Sequence, residues 1–219
     1  MLRFGRVVAA LAVGVFLSAG FSDAAHADVL STEELRAVQA KLKASDYLSV
    51  DLVQTKTSPT RPNRPVKSEG SARFAKPDRF VWTIGDPINE QTIFDGSRLL
   101  KVYPTEKVGV RYRAQGTESQ ELKRIVDLVL NMDSLFDNYV LKQAEMKDGV
   151  VNVQLTPKAA NEVEQVDLQL DTKLNFIRNL RFQLRTRMIL AIEFRNPSRD
   201  PVPGSAFDVP PGIKLSEMK

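Results

Sequence analysis

The sequence predicts a mainly β protein of the α+β kind: a curved, unclosed antiparallel half-barrel of about ten or eleven strands, with a helical lid over an apolar cavity. Three observations lead there. Short runs of alternating apolar and polar residues recur through most of the chain, each the mark of a half-buried strand. Two stretches instead carry a single apolar stripe at helical spacing. A sheet of so many strands curls rather than staying flat, and its open mouth is what two short amphipathic helices can cover.

Taken in order, the chain opens with Arg3 and Arg6, an apolar run from Val7 to Leu17, and the small-residue pattern Ala25-His26-Ala27. Residues 1–27 therefore read as an export signal, cleaved in the mature protein, with an apolar run too short to span a bilayer. The remaining 192 residues are expected to form a single domain, 28–219, enough for one large core and short for two. Of 31 basic and 27 acidic residues, Arg3, Arg6 and Asp23 leave with the signal, so the mature net charge is +3. That is too mild for nucleic-acid binding, and the expectation is a soluble, monomeric, periplasmic protein.

Ser31-Thr32-Glu33-Glu34 has the form of a capping box, and Leu35, Val38 and Leu42 follow at helical spacing, predicting a helix over 32–45. Leu48, Val50 and Leu52 then alternate with polar residues, as do Phe80, Trp82 and Ile84. Between these strands lies 58–67, with three prolines and basic side chains, which reads as a solvated hairpin loop. Asp95-Gly96 separates two apolar runs and predicts a hairpin turn. From Glu118 to Leu130 the spacing of Leu122, Ile125, Val126 and Val129 predicts a second amphipathic helix. Four more alternating runs follow, at 151–155, 166–170, 180–184 and 188–194.

The chemistry available is narrow. The one histidine, His26, lies in the signal, and there is no cysteine. Histidine- or cysteine-based catalysis is thereby excluded from the mature chain, and zinc and copper lose their favoured ligands. Asp86 with Glu90, and Asp167 with Asp171, are carboxylate pairs, but both read as turn and outer-face residues without the dense oxygen ligation of a calcium site. No glycine-rich phosphate loop is present. The expectation is a binding protein, not an enzyme, with no cofactor and no metal. Trp82 fits either a core aromatic or a ligand wall, and periodicity leaves both open.

Lys76-Pro77-Asp78-Arg79-Phe80-Val81-Trp82 resembles the K-R-P-N-x-F-x-W signature of the periplasmic lipoprotein carriers of the LolA family. Leu52-Val53-Gln54, the Asp95-Gly96 turn, Leu155-Thr156-Pro157-Lys158 and Phe207-Asp208-Val209-Pro210-Pro211-Gly212 fit the same family in order along the mature chain. The resemblance implies an unclosed β-barrel that shields the acyl chains of lipoproteins. It implies receipt of cargo from an inner-membrane ABC transporter of the LolCDE type and delivery to an outer-membrane receptor of the LolB type. It places Phe80 and Trp82 at the cavity wall and mouth, with Leu52, Ile84 and Phe94 completing the expected lipid-binding wall. Leu35, Val38 and Leu42 would lie on the first lid helix, and Leu122, Ile125, Val126 and Val129 on the second. Lys76 stands where the family usually has the arginine that latches the lid, and lacks that residue's planar fork of donors. Leu99-Leu100-Lys101 replaces frequent aromatics, which opens the cargo to another envelope lipid or glycolipid; a lipoprotein-sensing domain is the other alternative.

Overall fold

The computed structural model describes residues 28–42, 45–112, 128–129, 135–160 and 162–217. Helix α1 spans Thr32–Leu42, beginning where the capping box places it. The Ser31 backbone N–H donates to Glu34 Oε2 at 2.8 Å, and the Glu34 N–H donates back to Ser31 Oγ at 3.2 Å. These bonds hold the Glu34 carboxyl below its usual range. The helix sits on the sheet through Leu35, fully buried, with Val38 packed beside it. The expected second helix and its Leu122, Ile125 and Val126 lie outside the described residues, as do the export signal and the side chain of Leu42. Leu128 is buried and Val129 packs against the main core.

The strands are β1 (Asp28–Val29), β2 (Tyr47–Thr57), β3 (Val66–Ala75), β4 (Arg79–Ile84), β5 (Glu90–Phe94), β6 (Leu99–Tyr103) and β7 (Val108–Tyr112), then β8 (Tyr139–Lys147), β9 (Val150–Pro157), β10 (Val163–Asp171), β11 (Phe176–Leu184), β12 (Ile189–Ser198) and β13 (Lys214–Glu217). A one-turn helix, α2, spans Leu135–Asn138. All thirteen strands form one sheet in the order β1-β8-β9-β10-β11-β12-β2-β3-β4-β5-β6-β7-β13. The sheet is open and curved, an unclosed half-barrel. Its eleven long strands are the expected antiparallel set; β1 and β13 are short additions at the two edges. β13 corrects the all-antiparallel expectation, because it pairs parallel with β7. The chain reaches that edge by a long crossover from β12, and parallel pairing requires such a connection where a hairpin cannot supply it.

That crossover explains a second core. Val50, Leu52, Phe74, Phe80, Trp82, Leu168, Leu180, Ile192 and Phe194 belong to one buried cluster on the concave face. Val81, Ile93, Leu100 and Val102 point the other way and are buried under Val202 and Phe207 of the crossover. Strict alternation would expose that outer face. The side-by-side apolar residues Phe80-Val81-Trp82, Ile93-Phe94 and Leu99-Leu100 carry the signal, since only a strand covered on both faces affords apolar neighbours in sequence.

The turns obey local chemistry. Asp95 Oδ1 accepts from the backbone N–H of Ser97 and Arg98 at 2.9 and 2.8 Å, and Gly96 takes a φ of +96°. The basic loop is shorter than the 58–67 expected: Val66 and Lys67 enter β3, opposite Lys56 and Thr55 of β2. Both have a backbone N–H and can join the ladder, whereas the prolines at 59, 62 and 65 stay in the loop. In β3, a Cβ on Gly70 would stand 1.9 Å from the Thr83 carbonyl oxygen of β4. Gly70→Ala must push the two strands apart and is expected to lower stability by about 1–3 kcal/mol in urea denaturation; an unchanged midpoint would contradict the contact.

Candidate functional site

A cavity of about 260 Å³ opens on the concave face between β2, β4–β7 and β12. Trp82 and Ile84 form its apolar wall with Leu99, Leu190 and Ile192, and Tyr112 stands at its side. Trp82 meets Phe194 edge-on, ring centroids 6.0 Å apart, and is 9% exposed. It is thus both core aromatic and cavity wall. The other expected wall residues lie deeper. Leu52 and Phe80 are each 1% exposed, and Phe94 stacks on Phe80 with centroids 5.9 Å apart. All three pack into or against the concave-face core rather than lining the open space.

The register accounts for the depth of Phe80 and Phe94. Leu48, Phe74, Phe80, Phe94 and Leu99 lie side by side across β2 to β6. One step along the strands, Val50, Ala72, Trp82, Thr92 and Lys101 form the next row on the same face. The row beyond runs Leu52, Gly70, Ile84 and Glu90. Side chains become more polar in the same direction on three strands: Phe94 to Thr92 to Glu90 on β5, Leu99 to Lys101 on β6, and Leu52 to Gln54 to Lys56 on β2. The cavity lies at the polar end of these rows.

Glu90 is therefore no turn or outer-face residue. It lines the cavity, and its Oε2 lies 3.0 Å from Lys101 Nζ. Burial alone would lower the Lys101 pKa; the hydrogen bond and charge of Glu90 outweigh it and raise the pKa, so the ammonium stays charged. Asp86, in the β4–β5 turn, is exposed. Asp167 faces outward, with Oδ2 2.7 Å from Arg181 Nη1, and Asp171 accepts the backbone N–H of Lys173 and Leu174, each at 2.9 Å. Periodicity could have found Gln54, Lys56, Thr92 and Lys101, since each continues the alternation of an inward-facing residue.

On the lid side, the Arg36 guanidinium of α1 sits 5.2 Å from the centre of the Phe136 ring of α2. Lys158 Nζ donates to the Phe136 carbonyl oxygen at 2.6 Å, tying α2 to the end of β9. Lys76 follows β3. Its Nζ lies 3.7 Å from Asp46 Oδ1, and its backbone N–H donates to the Asp46 carbonyl oxygen at 2.9 Å. Asp46 belongs to the connection leaving α1. Among the described residues no three His, Cys, Asp or Glu side chains gather as a metal site, and no helix is long and apolar enough to cross a membrane.

A half-barrel with an apolar concave face, a cavity opening at one end and a helix packed on its core defines the structural class, an open β half-barrel with a partial helical cover. The family model described as outer membrane lipoprotein carrier protein LolA matches residues 43–209, and the chain belongs to that family. An outer-membrane lipoprotein carrier protein of Ralstonia nicotianae is 33% identical over 92 residues, 42% of this chain and 41% of the relative. One from Vibrio vulnificus is 30% identical over 135 residues, 61% of this chain and 64% of the relative. The match spans less than two thirds of either relative's length. Among solved structures, an uncharacterized conserved protein from Thermus thermophilus has the same fold, with a TM-score of 0.53 at 7% identity, covering 84% of this chain and 99% of that one.

Proposed function

We propose that this protein is a periplasmic carrier that shields the acyl chains of lipoproteins and shuttles them from an inner-membrane ABC transporter to the outer membrane. The observation that carries the reading is the cavity at Trp82 and Ile84, continuous with the buried apolar rows behind it. Membership of the LolA family and the names of the two relatives support it. The cavity is slightly smaller than the roughly 300–1,000 Å³ of small-molecule sites, so a long chain enters by parting the packed side chains at Leu52, Phe80 and Phe94 and lifting α1. Each methylene buried contributes about 0.8 kcal/mol, so a sixteen-carbon chain supplies on the order of 10 kcal/mol before ordering costs, ample to open the core. Lys76 acts as the lid latch, holding Asp46 and so the segment leaving α1. Like the family's carriers, the chain works by binding and needs no cofactor.

The test is titration of the mature protein with an acylated lipopeptide while Trp82 emission is recorded. A blue shift with saturation and co-elution on a sizing column is expected. An unchanged spectrum with no complex would overturn the reading.

A further inference from the structure

We infer that the polar end of the cavity is a headgroup subsite that selects acyl amphiphiles bearing an anionic phosphate ester, held by Lys56 and Lys101. This rests on the reading above only in that the cavity holds acyl chains, and goes beyond it: the lipid anchor of a lipoprotein carries no phosphate ester, so the subsite adds anionic phospholipids as a second class of cargo.

The first support is directional. On β2, β5 and β6 the concave face passes from apolar to polar along the same axis, and the cavity spans the change: Ile84, Leu190 and Ile192 face it together with Gln54, Lys56, Glu90, Thr92 and Lys101. An acyl chain and a polar head joined end to end match that gradient, whereas a purely apolar ligand leaves the lysines and Thr92 facing grease. The second support is charge. Two ammonium groups and one carboxylate line the cavity, leaving one positive charge in excess. Glu90, at 3.0 Å, and Tyr103, whose ring centre is 5.8 Å from Nζ, hold the Lys101 ammonium at the wall, and its remaining donor capacity is what a ligand meets. Lys56 is exposed and flexible, suited to a phosphate as a point charge.

The surroundings add to this field. Lys56 pairs with Val66 at the base of the 58–65 loop, which carries Arg61 and Arg64, both exposed. That loop contains no acidic residue. Asp86 in the turn before β5 and Glu106 in the turn after β6 are exposed acidic residues on two turns that meet where the Thr105 hydroxyl donates to the Ile88 carbonyl oxygen. A net positive mouth steers anionic amphiphiles toward it and does nothing for neutral ones.

The experiment compares two lipids of equal chain length, 1-palmitoyl lysophosphatidylglycerol and monopalmitoylglycerol, by Trp82 emission below their micelle concentrations. The phospholipid is expected to bind ~10-fold more tightly to the unaltered protein, and the ratio to fall toward one in the Lys56→Gln, Lys101→Gln double variant. Glu90→Gln, which keeps an acceptor beside Lys101 but removes the opposing charge, is expected to widen the ratio. Equal affinities in the unaltered protein, a ratio preserved in the double variant, or no widening in Glu90→Gln would each overturn the inference while leaving the carrier reading intact. Failure of both lipids to bind would overturn the inference, and failure of the lipopeptide as well would overturn both. Free glycerol phosphate is the control for source: displacement of the phospholipid by it at comparable concentration would assign the subsite to soluble phosphate esters instead.

Discussion

Phe80→Ala is expected to destabilise the protein by about 3–5 kcal/mol, the range for removing a fully buried aromatic ring. Phe80 is 1% exposed and stacks on Phe94 of the neighbouring strand, their planes 27° apart. It lies in the apolar row with Leu48, Phe74 and Leu99, on a strand covered on both faces, so neither neighbour can settle into the space it leaves. Chemical denaturation of the variant measures the loss. A loss under ~1 kcal/mol would mean that the concave face collapses freely, and the packed floor described above would then be wrong. The same cavity would enlarge the space for acyl chains, so lipopeptide affinity in folded Phe80→Ala protein is expected to hold or rise even as stability falls.

Leu35→Asp is expected to release α1 from the sheet. Leu35 is fully buried, and with Val38 it is the apolar contact by which the described part of α1 meets the concave-face core. A carboxylate there has no partner, and burying it unpaired costs more than an eleven-residue helix gains from its own backbone. Undocking is therefore less costly than forcing the charge inside, and the loss is limited to the helix's docking energy, about 3 kcal/mol. The sheet should keep its far-ultraviolet dichroism while an apolar fluorescent dye binds the uncovered face several-fold more strongly. Dye binding equal to that of the unaltered protein would show that α1 is not the cover of the concave face.

Much of this was legible because its causes are local. Ser31 and Glu34 meet across one helical turn, and the Asp95 carboxylate caps the very turn in which Gly96 supplies the left-handed backbone. The inward set of Trp82 and Ile84 follows from a period of two residues. What was not legible depends on which strand lies beside which. Glu90 looks like the end of a turn until β6 brings Lys101 to it, and Phe80 and Phe94 look like cavity wall until their row packs behind that of Trp82. Val81, Ile93 and Leu100 signalled a covered outer face, but not that residues after β12 would cover it.

The sequence by itself determined the strands, the turns and the capped start of the first helix, together with the membership that five ordered motifs announced. These rest on backbone preferences and contacts within a few residues. Only the tertiary structure decided the pairing of Lys101 with Glu90, the depth of Phe80 and the parallel edge strand β13, where Arg111 reaches Glu217 at 2.6 Å across 106 positions of chain. Such contacts arise between segments whose separate patterns carry no record of each other. Their geometry exists once the sheet has curled, because curvature turns a row of alternating side chains into a cavity with a greasy floor and a charged mouth.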